Sequence, residues 1–312
     1  MKILIASSIH ADALEKLKIE HDVITAINAK TAELKEKMFD REMIIFRSGV
    51  MINEEVMSSA PDLKFLIRAG SGLDNLDVDY VEKHNIQLIR IPEPGAKAVA
   101  ELSFTFMLML SRNLLRADSE WRKGRWIKSE LTGYLLTGKT LGIIGAGNIG
   151  SRVGRMGAAW GMNVLGCVEF PTPEIEKALS EQGIKLTSCD EVIKNSDYIS
   201  IHVPLTDKTR NMIDAEALNK MKKGSYLMNL ARGGVVNEAD LYQALTSGDR
   251  LRGAALDVHE NEGNDKISPF ASLPNVVLTP HIGAQTYDSQ REIGERVLES
   301  VKSFQNEAKV KV

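Results

Sequence analysis

The sequence predicts an α/β protein built from two doubly wound domains, each a parallel sheet covered by helices, with a cleft between them. Three observations point there. Short apolar runs alternate with amphipathic helical stretches along almost the whole chain, the pattern of strands joined by helical crossovers. One long apolar stretch at 98–119 divides that alternation into two series. At 312 residues, the chain also exceeds what one hydrophobic core usually serves.

The first series supplies the strand candidates "KILIA", "MIIF", "FLIR" and "QLIRI", separated by polar helical pieces such as "ADALEKLK" and "AELKEKMF". The stretch 98–119, "AVAELSFTFMLMLSRNLLRADS", is apolar around most of a helical circumference and is expected to be one buried helix. A second series follows, with "TLGIIG", "NVLGCV", "YISIHV", "SYLMNL", "GAALDV" and "NVVLTP" as strands. The stretch 288–306 is helical again, charged along one side, and is expected to cross back onto the first domain. The expected domains are 1–98, completed by 287–312, and 99–286.

Composition excludes several classes of function. A net charge of −3 leaves no electrostatic footprint for nucleic acid or an anionic membrane. The opening "MKILIASSIHADAL" reads as a first strand, because its apolar run is too short for a secretory signal. The most apolar stretch, "LSFTFMLML", is far below the ~20 residues that span a bilayer. The two cysteines, Cys167 and Cys189, suggest neither a disulfide framework nor a metal site, in keeping with a reducing cytoplasm.

The segment "TLGIIGAGNIGSRVGRMGAAWGMNVLGCVEF" carries the chemistry of a dinucleotide site. Gly145, Gly147 and Gly150 lie at G-x-G-x-x-G spacing after a strand and before a helix, with Asn148 and Ile149 between them. The first glycine permits a tight turn, the second a close approach of backbone amides to a pyrophosphate, and the third close packing of helix on strand. The glycine spacing alone would arise by chance in about one in seven chains of this composition; its strand–turn–helix placement makes it specific. An acidic residue is wanted at the end of the second strand to bind the adenosine ribose. Val168 occupies that position, and Glu169 is the nearest carboxylate.

Three later strands end in polar residues, at the sheet edge where wound α/β folds bind ligands. They offer Arg232, the carboxylates Asp257, Glu260 and Glu262, and His281. These types suit hydride transfer on a 2-hydroxy acid. An arginine grips the carboxylate bidentately, a histidine exchanges the hydroxyl proton, and a carboxylate beside that imidazole fixes its tautomer.

Taken together, "RAGSGLDNLD", "GAGNIG", "NLARGGVVNEADL", "AALDVHENEG" and "TPHIGA" resemble the D-isomer-specific 2-hydroxyacid dehydrogenases over essentially the whole chain. The resemblance implies two Rossmann-like or flavodoxin-like domains and NAD as cofactor. It implies Arg232, Glu262 and His281 as the catalytic set, with Glu260 as the alternative to Glu262, because Gly263 stands where the family usually has proline. It extends the coenzyme contacts from Gly145, Gly147, Asn148, Ile149, Gly150 and Glu169 to Val203, Leu230, Ala231, Arg232, Asp257, His281, Gly283 and Ala284.

Within the family, the resemblance is to the phosphoglycerate dehydrogenase branch, in a short form without the regulatory extension. Arg47 and Arg68 match positions that bind the substrate phosphate, and Ser71 and Gly72 belong to the "AGSG" segment whose amides take the carboxylate, alongside Arg232 and His281. A glyoxylate or hydroxypyruvate reductase, or another D-2-hydroxyacid dehydrogenase, is the alternative, and an NAD-sensing corepressor-like binding protein a remote one. The expected partners are a small 2-hydroxy acid and a second copy of the chain, the latter through the 98–119 stretch with Trp121 and Trp126. No metal is expected.

Overall fold

The computed structural model describes residues 1–27, 29–247 and 250–310. They form two compact units, one of Met1–Ala98 with Ala284–Val312 and one of Val99–Gly283. In the first, β1 (Lys2–Ile5), β2 (Asp22–Thr25), β3 (Met43–Phe46), β4 (Phe65–Arg68) and β5 (Gln87–Arg90) pair in parallel, in the order β2-β1-β3-β4-β5. Its crossovers carry α1 (Ala11–Glu20), α2 (Thr31–Met38), α3 (Glu54–Met57) and α4 (Val78–Lys83).

The run expected as one helix over 98–119 is instead α5 (Glu93–Ser111) and α6 (Leu114–Arg122), bent by 63°. Asn113 at the break has φ 51°, a left-handed conformation that asparagine tolerates better than most residues. Leu114 and Leu115 continue the apolar pattern across the break, but both are exposed, so periodicity could not reveal it. Among the described residues no single helix is long and apolar enough to cross a membrane; only the bent pair α5–α6 reaches that length.

The second unit contains seven parallel strands: β6 (Thr140–Ile144), β7 (Asn163–Cys167), β8 (Ile184–Leu186), β9 (Tyr198–Ile201), β10 (Ser225–Asn229), β11 (Leu251–Leu256) and β12 (Val276–Leu278). Their order is β12-β11-β10-β9-β6-β7-β8. Between them run α7 (Asn148–Ala159), α8 (Pro173–Ser180), α9 (Cys189–Asn195), α10 (Ala215–Lys220) and α11 (Glu238–Thr246), and the chain closes with α12 (Tyr287–Val310) in the first unit. Both sheets are thus doubly wound, as expected. Strand order reverses between β6 and β9, and such a switch point leaves a crevice beyond the strand ends.

Each sheet is buried on both faces, which is why its strands read as continuous apolar runs. In the first unit Leu4, Ile44 and Leu66 face one core with Leu34 and Val56, while Ile3, Ile5, Ile45 and Ile67 face another. That second core is completed by Leu17 of α1 and by Ile293, Val297, Val301 and Phe304 of α12, so the final helix does return to the first sheet. Residues 311 and 312 of the expected 287–312 segment lie outside the described residues. In the second unit Phe104, Phe106 and Met107 of α5 and Val153 of α7 cover one face, and α9 to α11 cover the other.

The cysteines correct an expectation. Cys167 ends β7, Cys189 starts α9, and the two form a disulfide with a Cα–Cα separation of 5.3 Å. Only the winding of β7, α8, β8 and α9 brings together residues 22 apart in sequence.

Phe304 is 3% exposed and its ring centroid lies 4.4 Å from that of Phe65. Phe304→Ala is expected to destabilise the first unit by about 3–5 kcal/mol through the cavity left behind. Hydrogen exchange of the β4 amides measures this; unchanged protection would mean that α12 does not hold that core.

Candidate active site

At the end of β6 the chain must turn within a glycine's width. Gly145 has φ 90°, and a Cβ there would lie 2.8 Å from the backbone carbonyl of His202 and from Val203 Cγ1. A Cβ on Gly150 would collide with the Gly145 carbonyl. At Gly147, by contrast, a Cβ would meet nothing within 4 Å, so open space lies before the α7 N-terminus. Gly147 brings no side chain to cap the helix, which leaves the first-turn amides to an outside acceptor. Gly145 and Ala146 donate to the Cys167 carbonyl at 3.1 and 2.9 Å, fastening the turn to β7. Ile149 packs into the core, and the Asn148 side chain accepts from Arg152 Nε at 3.3 Å. Two close approaches that exclude a Cβ and one open position are the shape a pyrophosphate requires.

Beyond β7 the Val168 side chain packs into the hydrophobic core, and Glu169 is exposed. The Glu169 carboxylate is paired with Lys208 Nζ at 2.8 Å. Lys208 follows β9 and lies 39 residues away in sequence, so sequence reading missed it.

The residues expected to react lie just beyond the ends of β10, β11 and β12. Asn229, buried at the end of β10, accepts from the Ala231 amide and donates to the Arg232 carbonyl, both at 3.0 Å. This shapes the loop carrying Arg232, whose Nη1 donates to the Ala231 carbonyl at 2.7 Å. Leu230 and Ala231 are each 5% exposed, so only their backbones are available to a coenzyme. Gly233 follows because a Cβ there would run into the His259 carbonyl, which brings the Arg232 loop against the loop after β11.

Asp257 opens that loop. Its carboxylate, 2% exposed, accepts from Thr279 Oγ1 at 2.6 Å and from the Ile282 and Gly283 amides at 2.8 Å, while its carbonyl accepts from the His281 amide at 2.7 Å. Asp257 thus shapes the turn after β12, where His281 has φ 55°. The imidazole Nδ1 of His281 meets Glu262 Oε2 at 3.0 Å, and Glu262 Oε1 accepts from the His259 amide at 3.2 Å. Burial acts to raise the Glu262 carboxyl, but the hydrogen bond and charge of His281 and the amide and charge of His259 outweigh it, leaving the pKa below the ordinary value.

Glu260, the alternative partner, points elsewhere. Its carboxylate accepts from the Glu238 amide at 3.1 Å, and its amide donates to the Glu238 carboxylate at 2.8 Å. Glu238 was missed from sequence, where it looks like an ordinary first-turn helix acid. Burial first, and then repulsion by Glu260 and Glu262, pushes its carboxyl up despite the Glu260 amide and the His259 charge. Glu238, Glu262 and His281 line one cavity of about 530 Å³. His202, in contrast, is a structural histidine: desolvation pushes it down to about 3 and Ser200 Oγ lies 2.8 Å from its Nε2.

In the first unit the C-terminal strand ends gather arginines. Arg68 is 3% exposed, donates from Nε to the Gly72 carbonyl at 2.9 Å and sits 5.7 Å above the Phe46 ring. Arg90, which sequence reading passed over, donates to the Ser71 carbonyl. The two hold the 69–72 loop by its carbonyls. Arg47 is half-buried with no side-chain partner among the described residues, and desolvation lowers its guanidinium from the ordinary value. Ala284 begins the returning segment and faces Gly95, where a Cβ would be 3.3 Å from its own.

Comparison with known proteins matches residues 104–283 to the model described as "D-isomer specific 2-hydroxyacid dehydrogenase, NAD binding domain". A D-3-phosphoglycerate dehydrogenase of Methanocaldococcus jannaschii is 38% identical over 303 residues, covering 97% of this chain and 57% of its own length. The chain therefore spans little more than half of that relative. A hydroxypyruvate reductase of Thermotoga maritima is 37% identical over 280 residues, 89% of each chain. Among solved structures, a D-lactate dehydrogenase of Aquifex aeolicus, complexed with NAD and lactic acid, is 32% identical with a TM-score of 0.87, covering 98% of this chain and 96% of its own. The glycine turn, the ends of β10 to β12 and these matches agree: the chain belongs to the D-isomer-specific 2-hydroxyacid dehydrogenase family and carries its NAD-binding domain.

Proposed function

We propose that the protein is an NAD-dependent D-2-hydroxyacid dehydrogenase whose substrate pair is 3-phosphoglycerate and 3-phosphohydroxypyruvate. The observation that carries the chemistry is the His281–Glu262 pair at 3.0 Å. Glu262 occupies Nδ1, which leaves Nε2 to exchange a proton with the substrate C2 oxygen. Arg232 holds the substrate carboxylate and polarises that oxygen. Bound NAD supplies the hydride acceptor, held by the amides around Gly147 to Gly150, by Glu169 at the ribose, and along Val203, Leu230 and Ala231. Asp257, its carboxylate already engaged, acts by holding Gly283 and His281 in place.

The phosphate is assigned to Arg47 and Arg68, and the first unit is read as the substrate-binding domain, with the amides near Ser71 and Gly72 toward the carboxylate. A half-buried guanidinium with no side-chain partner among the described residues, as at Arg47, favours an anion beside it. The Thermotoga maritima relative, alike over 89% of each chain, favours hydroxypyruvate reduction as the second reading. A homodimer completes the proposal. Trp121 and Trp126, 61% and 74% exposed with ring centroids 5.1 Å apart, are assigned to the subunit contact with Leu114 and Leu115.

His281→Ala is expected to lower turnover by about 10²–10⁴-fold with NADH affinity nearly intact. Near-native kcat on any 2-hydroxy acid that the wild type oxidises would refute the role. Arg68→Ala is expected to raise KM for 3-phosphoglycerate by roughly 10–100-fold and KM for D-glycerate by a much smaller factor, through the 69–72 loop that it holds. Equal effects on both substrates would make the arginine structural and move hydroxypyruvate reduction to first place. Trp121→Glu is expected to shift sedimentation from dimer to monomer, and an unchanged profile would place the contact elsewhere.

A further inference from the structure

The coenzyme's ribose end has a feature that the proposed function leaves unused. Val168 is turned into the core, so the end of β7 has no carboxylate of its own there, and Glu169 is the substitute. That carboxylate is held by Lys208 at 2.8 Å, and the Lys208 ammonium also lies 5.5 Å from the Phe170 ring centroid. Both side chains are exposed, at 57% for Glu169 and 74% for Lys208.

Topology explains why they meet. β7 and β9 lie on either side of β6, the strand that ends in the glycine turn, so the loops beyond them flank whatever the turn binds. The loop after β9 is also built to stay in place. The Thr206 amide donates to Thr209 Oγ1 at 2.8 Å, Thr209 Oγ1 donates to the Pro204 carbonyl at 2.6 Å, and the Arg210 amide donates to the Thr206 carbonyl at 2.9 Å. Lys208 stands on that turn between Asp207 and Thr209.

We propose that Lys208 is a coenzyme-discriminating residue, the positive partner for the 2′-phosphate of NADP beside the Glu169 carboxylate that favours NAD. This rests on the dinucleotide occupying the glycine turn with its adenosine ribose at the end of β7. A carboxylate at that place accepts bonds from the 2′- and 3′-hydroxyls and repels a 2′-phosphate; an ammonium does the reverse. With one of each in contact, NADP is accepted when its phosphate takes Lys208 from Glu169. An aspartate at 168 with no cation nearby would discriminate far more strongly.

Calorimetric titration of the full chain with NADH and with NADPH tests this without turnover. Lys208→Ala is expected to lower the ratio of NADPH to NADH affinity by roughly fivefold to tenfold, and Glu169→Ala to raise it by a similar factor. Lys208→Arg should keep the ratio within about twofold of the wild type. If Lys208→Ala leaves the ratio unchanged while NADH still binds, Lys208 plays no part and the proposal falls alone. If the folded wild type binds neither coenzyme, the coenzyme reading falls with it.

Discussion

The buried carboxylate of Asp257 is the constraint on which the reacting end depends. Taking a carboxylate out of water is costly unless its oxygens are hydrogen-bonded. Here the Thr279 hydroxyl and the Ile282 and Gly283 amides supply those bonds, and the Asp257 carbonyl adds one from the His281 amide. They draw the chain after β12 into a turn tight enough to put His281 at φ 55°, a conformation that costs a non-glycine residue roughly 1–3 kcal/mol. The strain persists because the bonds around it over-determine the backbone, so the imidazole has a fixed root before any ligand arrives.

A second set of bonds fixes what the imidazole meets. Glu238 and Glu260 exchange amide-to-carboxylate bonds in both directions, which clamps the loop after β11 to the start of α11. Asn237 caps that helix by accepting from the Asp240 amide, so the clamp has a firm support. Two residues on, Glu262 is delivered to His281 although Gly263 (φ 123°) follows it in place of the family's usual proline. The Glu238–Glu260 clamp pins the loop two residues before Glu262. Neighbouring acids therefore have different tasks, Glu260 in backbone support and Glu262 in charge.

The fold and the chemical types at the site were legible in the sequence because each rests on local pattern. Apolar runs buried on both sheet faces, glycines where a Cβ would collide, and polar residues just past strand ends are written within a few residues of one another. The sequence by itself determined the two wound sheets and the glycine turn, and it offered Arg232, His281 and one of Glu262 and Glu260 as the candidate reacting types; the return of the last helix it left as an expectation. Periodicity failed at Asn113, where one left-handed residue breaks a helix without breaking its apolar pattern.

Tertiary structure decided the pairings. It chose Glu262 over Glu260 for His281, engaged Asp257 with the turn, joined Cys167 to Cys189, set Arg90 beside Arg68 at the 69–72 loop, and brought Lys208 to Glu169 across 39 residues. For the His281, Asp257 and Lys208 contacts the physical reason is the same. Strand order β9-β6-β7 places the loop after β9 beside the loop after β7, and order β12-β11-β10 does the same for the reacting loops, although neither adjacency is expressed in any local spacing. Which of two neighbouring acids meets a base depends on how a loop is pinned across the sheet edge, and that information exists only once the chain has folded.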